Sequence, residues 1–142
     1  MHDRDQSGLL FVLRLPIHPL SVTAARRLVH SLDGWIDDVD LCRAELIASE
    51  LVTNAIRHGS DSDTDAIEMD VEAVDGCMSM RFRDSGPPFE MATDDARRGD
   101  SDGFGLRIAG GLADSMTVRR LAAGNEVRAT VLLGATRLFS VK

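Results

Sequence analysis

Three short stretches of this chain carry residue types at spacings that can do chemistry. Glu50 and Asn54 stand four positions apart in Glu50-Leu-Val-Thr-Asn54-Ala-Ile-Arg57-His58-Gly59. On a helix that is one turn, about 6 Å along the axis. The amide oxygen of Asn54 is a hard donor of the kind Mg²⁺ takes while keeping several waters. A carboxylate one turn away can accept a proton from a hydroxyl nucleophile. Asp84-Ser85-Gly86 ends a strand pattern. A strand-terminal carboxylate can accept a hydrogen bond from an exocyclic amine such as that of adenine, and glycine lets the backbone approach a flat ring. Gly103-Phe104-Gly105-Leu106 leads into a helical pattern. Free N–H groups at a helix start attract phosphate, and glycine removes the steric block. Taken singly, each stretch also has a plainer explanation: the polar face of an amphipathic helix, an ordinary turn, and a helix start.

These residues need elements to hold them. Residues 9–15 are rich in Leu, Val and Phe and stop at Pro16, which predicts a strand. A helix follows to about Ser31, with Ser21 as its N-cap and Val22, Ala25, Leu28, Val29 and Leu32 at helical spacing. Asp33-Gly34 breaks it. A second helix is predicted to start near Asp37–Asp40 and to end at Gly59. With Glu50 at zero, Leu41, Ala44, Ile47, Ala48, Leu51, Val52, Ala55 and Ile56 fall between about 60° and 240°. Arg43, Glu50, Asn54 and Arg57 fall within about 40° of zero, a polar stripe opposite the apolar face. Residues 66–74 and 77–84 alternate as strands about an Asp75-Gly76 hairpin turn. Residues 85–102 form a long irregular stretch, of the kind that is usually functional or mobile. A short helix is predicted over 104–113, then strands over 116–121 and 127–133 joined by a Gly124-Asn125 turn. Hairpin-linked strands with helices between them predict an α+β two-layer sandwich, its sheet mixed but mostly antiparallel, with helices on one face. The whole of residues 1–142 reads as one domain, with a core of about 9–133 and loose ends at 1–7 and 134–142.

Composition narrows the classes. At 142 residues, 44% hydrophobic and 27% charged, the chain suits one globular domain that needs no metal or disulfide to fold. Sixteen Lys+Arg against 23 Asp+Glu give a net charge of −7, which repels nucleic acid and anionic membrane at long range. No apolar run approaches the ~20 residues of a membrane helix. The start, Met1-His2-Asp3-Arg4-Asp5, lacks the features of a signal peptide, so a cytoplasmic location is expected. Cys42 and Cys77 are 35 positions apart and have no metal-site spacing. Six aromatics and no Tyr offer no stacking platform for single strands. His58, at a helix C-terminus, suits the dipole there. Trp35 fits either core or an exposed patch.

In combination the three stretches resemble the motifs of the Bergerat-fold ATPases, the superfamily of gyrase, heat-shock protein 90, histidine kinases and mismatch-repair ATPases. Glu50-x-x-x-Asn54 resembles the N box, Asp84-x-Gly86 the first Gly box, and Gly103-x-Gly105-Leu106 the second. Separations of 30 residues from Asn54 to Asp84 and 19 from Asp84 to Gly103 fit the small members. The phrase Glu-Leu-Val-Thr-Asn-Ala-Ile-Arg-His-Gly, with Leu112-Ala113-Asp114 downstream, is most similar to the bacterial anti-sigma-factor serine kinases. That resemblance implies ATP and Mg²⁺ as cofactors. It implies Asn54 as the Mg²⁺ ligand and Glu50 as the general base for a serine hydroxyl. Asp84 would bind the adenine amine and Gly86 would line the base pocket. Gly103, Gly105 and Leu106 would form the phosphate segment, and residues 87–102 the lid. It further implies a sigma factor and an anti-anti-sigma protein of the STAS type as partners, and a homodimer.

The sequence departs from that pattern in two places. Pro88 stands where many relatives have a second glycine, and Gly124-Asn125-Glu126 stands where the family often has Gly-Thr-Thr. The first Thr of that pattern joins the adenine network, so the resemblance implies nucleotide binding by Asn125, which can still hydrogen-bond, while Glu126 adds negative charge beside it. Arg97 and Arg98 could reach phosphate or pair with Asp94 and Asp95. Arg57 could steer phosphate, hold Glu50, or serve the surface. Three readings therefore compete. One is the kinase. Another is a regulatory binding module of the same fold that sequesters a partner without nucleotide. The last is the ATP-binding half of a histidine kinase, which the chain's length and its four His argue against.

Overall fold

A computed structural model describes residues 9–58, 66–74, 76–86 and 101–134, and at residues 9, 58 and 101–105 the backbone alone. The predictions for the turn at 60–65, for Asp75, for the loop and lid at 87–100 and for the ends of the chain lie outside the described residues. The elements run β1 (Leu9–Pro16), α1 (Leu20–His30), α2 (Asp38–His58), β2 (Ala66–Val74), β3 (Cys77–Asp84), α3 (Ser101–Leu112), β4 (Ser115–Leu121) and β5 (Gly124–Leu132). The five strands form one sheet in the order β1-β2-β3-β5-β4. Every pairing is antiparallel, so the sheet is not mixed.

Strand alternation decides which face is covered. Ile67, Met69, Val71 and Ala73 on β2, Met78, Met80 and Phe82 on β3, and Val127, Ala129 and Val131 on β5 are all buried. They meet Leu41, Ala44, Ile47, Ala48, Leu51, Val52 and Ala55 of α2, the face that the angular pattern picks out, in one core. The helices thus lie on one side of the sheet. α2 is the central helix, packed against both α1 and α3 and touching β3 and β5.

Three local expectations are corrected. The N-cap of α1 is Pro19, not Ser21. Proline is pre-set for a helix start, so the helix begins before Ser21 and takes that residue into its first turn. The Ser21 hydroxyl donates instead to the Pro16 carbonyl at 2.7 Å, and His18 Nδ1 accepts from the Leu20 amide at 3.0 Å. α3 begins at Ser101 rather than Phe104, since Ser and Asp are favoured in a first turn. Gly124 and Asn125 open β5, and the turn before them is made by Ala122 and Ala123.

The polar stripe of α2 is partly covered, because α3 packs beside it, while Arg57 stays exposed. The Arg43 guanidinium donates to the Leu112 carbonyl at 3.1 and 2.8 Å, to Asp114 at 3.0 Å and to Asp40 at 3.2 Å. A cation there satisfies the orphan carbonyl end of α3. The Leu132 amide, and then Arg43, hold the Asp114 carboxyl below its ordinary value. Both Cys42 and Cys77 are free thiols, and burial first, then Asp114 and Glu72, pushes the Cys77 thiol up. Trp35 is exposed. No helix among the described residues is long and apolar enough to cross a membrane.

The uncovered face of the sheet carries a ladder of charge. Arg14, Glu68, Arg83, Glu126 and Arg119 stand in register across all five strands. Arg14 meets Glu68 at 3.1 Å, Arg83 meets Glu126 at 3.0 Å, and Arg119 meets Glu126 at 3.5 Å. Glu126 is 5% exposed, and burial by itself would raise its pKa. The hydrogen bond from Arg83 and the charges of Arg119, Arg83 and Arg81 outweigh burial and hold it below its ordinary 4.5. The folded chain therefore binds fewer protons here than the unfolded one. The stability this group contributes is complete above pH 4.5 and is lost as pH falls through the lower folded value. Glu126→Gln is expected to be less stable than the wild type at pH 7, with the gap narrowing below pH 4.5, as read by urea unfolding. A gap that does not change with pH would show that Glu126 is not held as a carboxylate.

Candidate functional site

β3 ends at Asp84, whose register partner on β5 is Asn125. Both side chains are buried, Asp84 at 7% exposure and Asn125 at 0%. The Asn125 amide Nδ2 donates to Asp84 Oδ1 at 3.1 Å, and the Gly86 N–H donates to the same oxygen at 2.8 Å. Nδ2 also lies 3.5 Å from the Gly86 carbonyl. One carboxylate oxygen is thus held by two donors, which fixes the plane of the whole group. Glu126 does not add charge to this cluster. Neighbours on a strand point to opposite faces, and Glu126 is spent on Arg83 and Arg119 behind the sheet.

Gly124 makes that geometry possible. Its φ is +120°, and a Cβ there would sit 1.8 Å from the Asp84 carbonyl oxygen and 2.9 Å from Ser85 Cα. Only glycine lets the start of β5 lie against the Asp84–Ser85 backbone. Gly124 is the positioning residue that sequence reasoning assigned to a turn; a glycine directly before a polar pair was the available signal.

Asn54 and Glu50 sit on α2. Asn54 is 4% exposed, and its Oδ1 has no hydrogen-bond partner among the described residues. A buried unpaired carbonyl oxygen costs about 1–3 kcal/mol, so such an atom calls for a ligand. Mg²⁺, which prefers oxygen donors, fits it. No cluster of three or more His, Cys, Asp or Glu that could cage a metal occurs among the described residues. This donor set suits a cation that arrives with its own oxygen ligands, as on a triphosphate. Glu50 is half-buried and has no hydrogen-bond or ion-pair partner among the described residues. Arg57 is exposed near the end of α2.

Asp84, Gly86 and Asn125 are therefore brought into direct contact. Glu50 and Asn54 share one helix and make no hydrogen bond to that cluster. Gly103 and Gly105 lie within α3, with Gly103 in its first turn, where amides lack helical partners. The amide of Gly105 falls inside the helical ladder. Leu106 is buried at 4% exposure and belongs to the core, where it anchors α3. The remaining lid residues, with Pro88, Arg97 and Arg98, lie outside the described residues.

A helix-covered antiparallel sheet, with an acid held at a strand end, defines a two-layer α+β sandwich. The family model of the histidine kinase-like ATPase domain matches residues 15–131, and the chain belongs to that family. No curated protein matches. Among solved structures, the RsbU and RsbW domains of Rv1364c from Mycobacterium tuberculosis are similar at a TM-score of 0.66 and 20% identity. The match covers 88% of this chain and 32% of that one, so this chain spans about a third of that protein's length and shares its fold.

Proposed function

We propose that this chain is an ATP-dependent protein-serine kinase that acts as an anti-sigma factor. In this reading it binds a sigma factor and phosphorylates a STAS-type anti-anti-sigma protein, as a cytoplasmic homodimer. The observation that carries the reading is the buried Asn54 Oδ1, without a hydrogen-bond partner among the described residues, one helical turn from a Glu50 that also has none there. Membership of the ATPase family supports the nucleotide, and the resemblance of residues 50–59 supports the serine substrate.

Each residue then has a task. Asp84 accepts from the adenine amine, with Asn125 and the Gly86 amide holding its carboxylate in plane. Gly86 lines the base pocket. Asn54 holds Mg²⁺, which neutralises charge on the triphosphate when bound. Amides at the start of α3, at and around Gly103, face the phosphates, with Gly105 and Leu106 setting the helix behind them. Glu50 takes the proton of the serine hydroxyl that the protein substrate presents.

Glu50→Gln tests the assignment because it keeps size and polarity and removes only the base. The variant is expected to keep its Mg·ATP affinity and to lose about 10²-fold or more in phosphoryl transfer to a serine of a STAS-type protein. The readout is ³²P incorporation in single turnover. Transfer at the wild-type rate would remove Glu50 as the base. Partner binding that needs no nucleotide, with no transfer even by the wild type, would establish the sequestering module instead.

A further inference from the structure

We propose that Arg120, on the edge strand β4, is a phosphate-binding residue of the nucleotide cleft. This assignment rests on the ATP-dependent reading above and adds to it a strand that none of the three motifs reaches.

Strand register brings Arg120 to the site. Asp84 on β3 pairs with Asn125 on β5, and Asn125 pairs in turn with Arg120 on β4. The three residues form one row, and strands lie about 4.8 Å apart, so the Arg120 backbone stands about 10 Å from that of Asp84. Alternation puts all three on the helix-covered face. Met116 and Val118, four and two positions back, pack against the core, while Arg119 turns to the open face and meets Glu126 at 3.5 Å. Asp84 and Asn125 are buried, and Arg120 is exposed at the end of the row.

The helices and β4 run from one anchored end toward this row. The Arg43 guanidinium of α2 holds the Leu112 carbonyl at the end of α3 at 2.8 Å and Asp114, just before β4, at 3.0 Å. The end of β5 is fixed there as well, because the Gly134 amide donates to Asp40 at 2.7 Å. α3 packs along α2 and touches β4. From the anchored end, α2 extends about 16 Å to Asn54 and α3 about 18 Å back to its first residue. β4 extends about 17 Å from Ser115 to Arg120. The far ends therefore come level: Asn54, whose buried Oδ1 has no partner among the described residues, the opening amides of α3, and Arg120. With the base at Asp84 and Mg²⁺ at Asn54, the phosphates come to this end of the cleft.

Charge selects the part of the nucleotide that Arg120 meets. ATP brings a polyanion to a chain of net charge −7, beside the carboxylates of Asp84 and Glu50. Arg57 on α2 and Arg107 on α3 already interact with other groups. Arg120 makes no ion pair or hydrogen bond among the described residues. That alone does not distinguish it, since Arg128 is also exposed and also makes none there. Position does. Arg128 alternates with Glu126 onto the open face, in register with Arg81, with the sheet between it and the cleft. A guanidinium meets phosphate oxygens two at a time and keeps its charge at any working pH.

Isothermal titration of the full chain with adenosine, ADP and Mg·ATP tests the assignment. Arg120→Ala is expected to lose about tenfold or more in affinity for ADP and Mg·ATP and to bind adenosine as the wild type does. Arg120→Lys should recover part of the loss, because it restores the charge without the planar fork. Arg128→Ala should match the wild type for all three ligands. Thermal melts without nucleotide check that the variants are folded. Equal affinities of Arg120→Ala and the wild type for all three ligands would leave Arg120 an edge charge and overturn the assignment. An equal loss for adenosine would overturn it too, by placing the effect on the base or the fold. A wild type that binds none of the three would instead remove the nucleotide reading itself, and this assignment with it.

Discussion

Asp84→Asn is expected to abolish stabilisation by Mg·ATP while leaving the nucleotide-free fold nearly intact. Two donors, the Gly86 amide and Asn125 Nδ2, converge on Asp84 Oδ1. An asparagine at 84 satisfies both by placing its carbonyl oxygen where Oδ1 lies. Its NH₂ then occupies the place of the second carboxylate oxygen. A donor would face the exocyclic amine of adenine, which is also a donor. With ATP at a hundred times its Kd, the wild type should gain about 2.7 kcal/mol, and the variant close to none. The apo protein should lose only about 1 kcal/mol, because two charge-assisted hydrogen bonds become neutral ones. The same inversion predicts a gain. Inosine triphosphate, whose base presents a carbonyl at that position, should stabilise Asp84→Asn more than it stabilises the wild type. Equal ATP shifts in the two proteins would take Asp84 out of base recognition.

The second large effect is structural and reaches the same site. Gly124→Ala places a methyl 1.8 Å from the Asp84 carbonyl oxygen and 2.8 Å from its carbon, at a φ of +120°. Backbone atoms cannot rotate away, so β5 must shift from β3 at the very pair that aligns Asn125 with Asp84. A loss of about 3 kcal/mol or more is expected, together with weakened ATP binding. Gly34 and Gly76 supply the control, since both have positive φ, +94° and +79°, and nothing within 4 Å of an added Cβ. Alanine there should cost about 1 kcal/mol and leave ATP binding alone. Thermal melts of the three variants separate the cost of backbone conformation from that of the collision. If Gly124→Ala melts with the other two, the close approach of β5 to the Asp84 turn is not what holds the site.

The two effects belong to one design. Asp84 and Asn125 lie on the helix-covered face, while Arg83 and Glu126, their immediate neighbours, face the open side and are paired there. The same β3–β5 register therefore aligns the buried hydrogen bond on one face and the ion pair on the other. A residue that slips this register by one position would exchange the two faces, burying charge and exposing the site.

Local pattern was enough to place most elements. Alternation over 66–74 and 77–84 marked β2 and β3 at the bounds observed, because a strand with one covered face must repeat every second residue. The 3.6-residue repeat marked the buried face of α2 for the same reason. Motif order and spacing pointed to the ATPase family that the family match also reports. Each of these signals is a short stretch of sequence or the order of such stretches, so a chain read in one dimension displays them.

What tertiary structure decided lies at long separation. Asn125 meets Asp84 across 41 residues, and Arg43 meets Leu112 across 69. Periodicity shows which side of an element is apolar but not what covers the other side. Hence the stripe of Arg43, Glu50, Asn54 and Arg57 was open to reading as a site or as a plain polar face, and only the packing of α3 beside α2 shows Asn54 Oδ1 buried, without a partner among the described residues. Gly124-Asn125 read as a turn because both residues favour turns. The pairing of β5 with β3 overrode that preference, since the register gave Asn125 a buried carboxylate to bond and gave Gly124 a backbone to lie against.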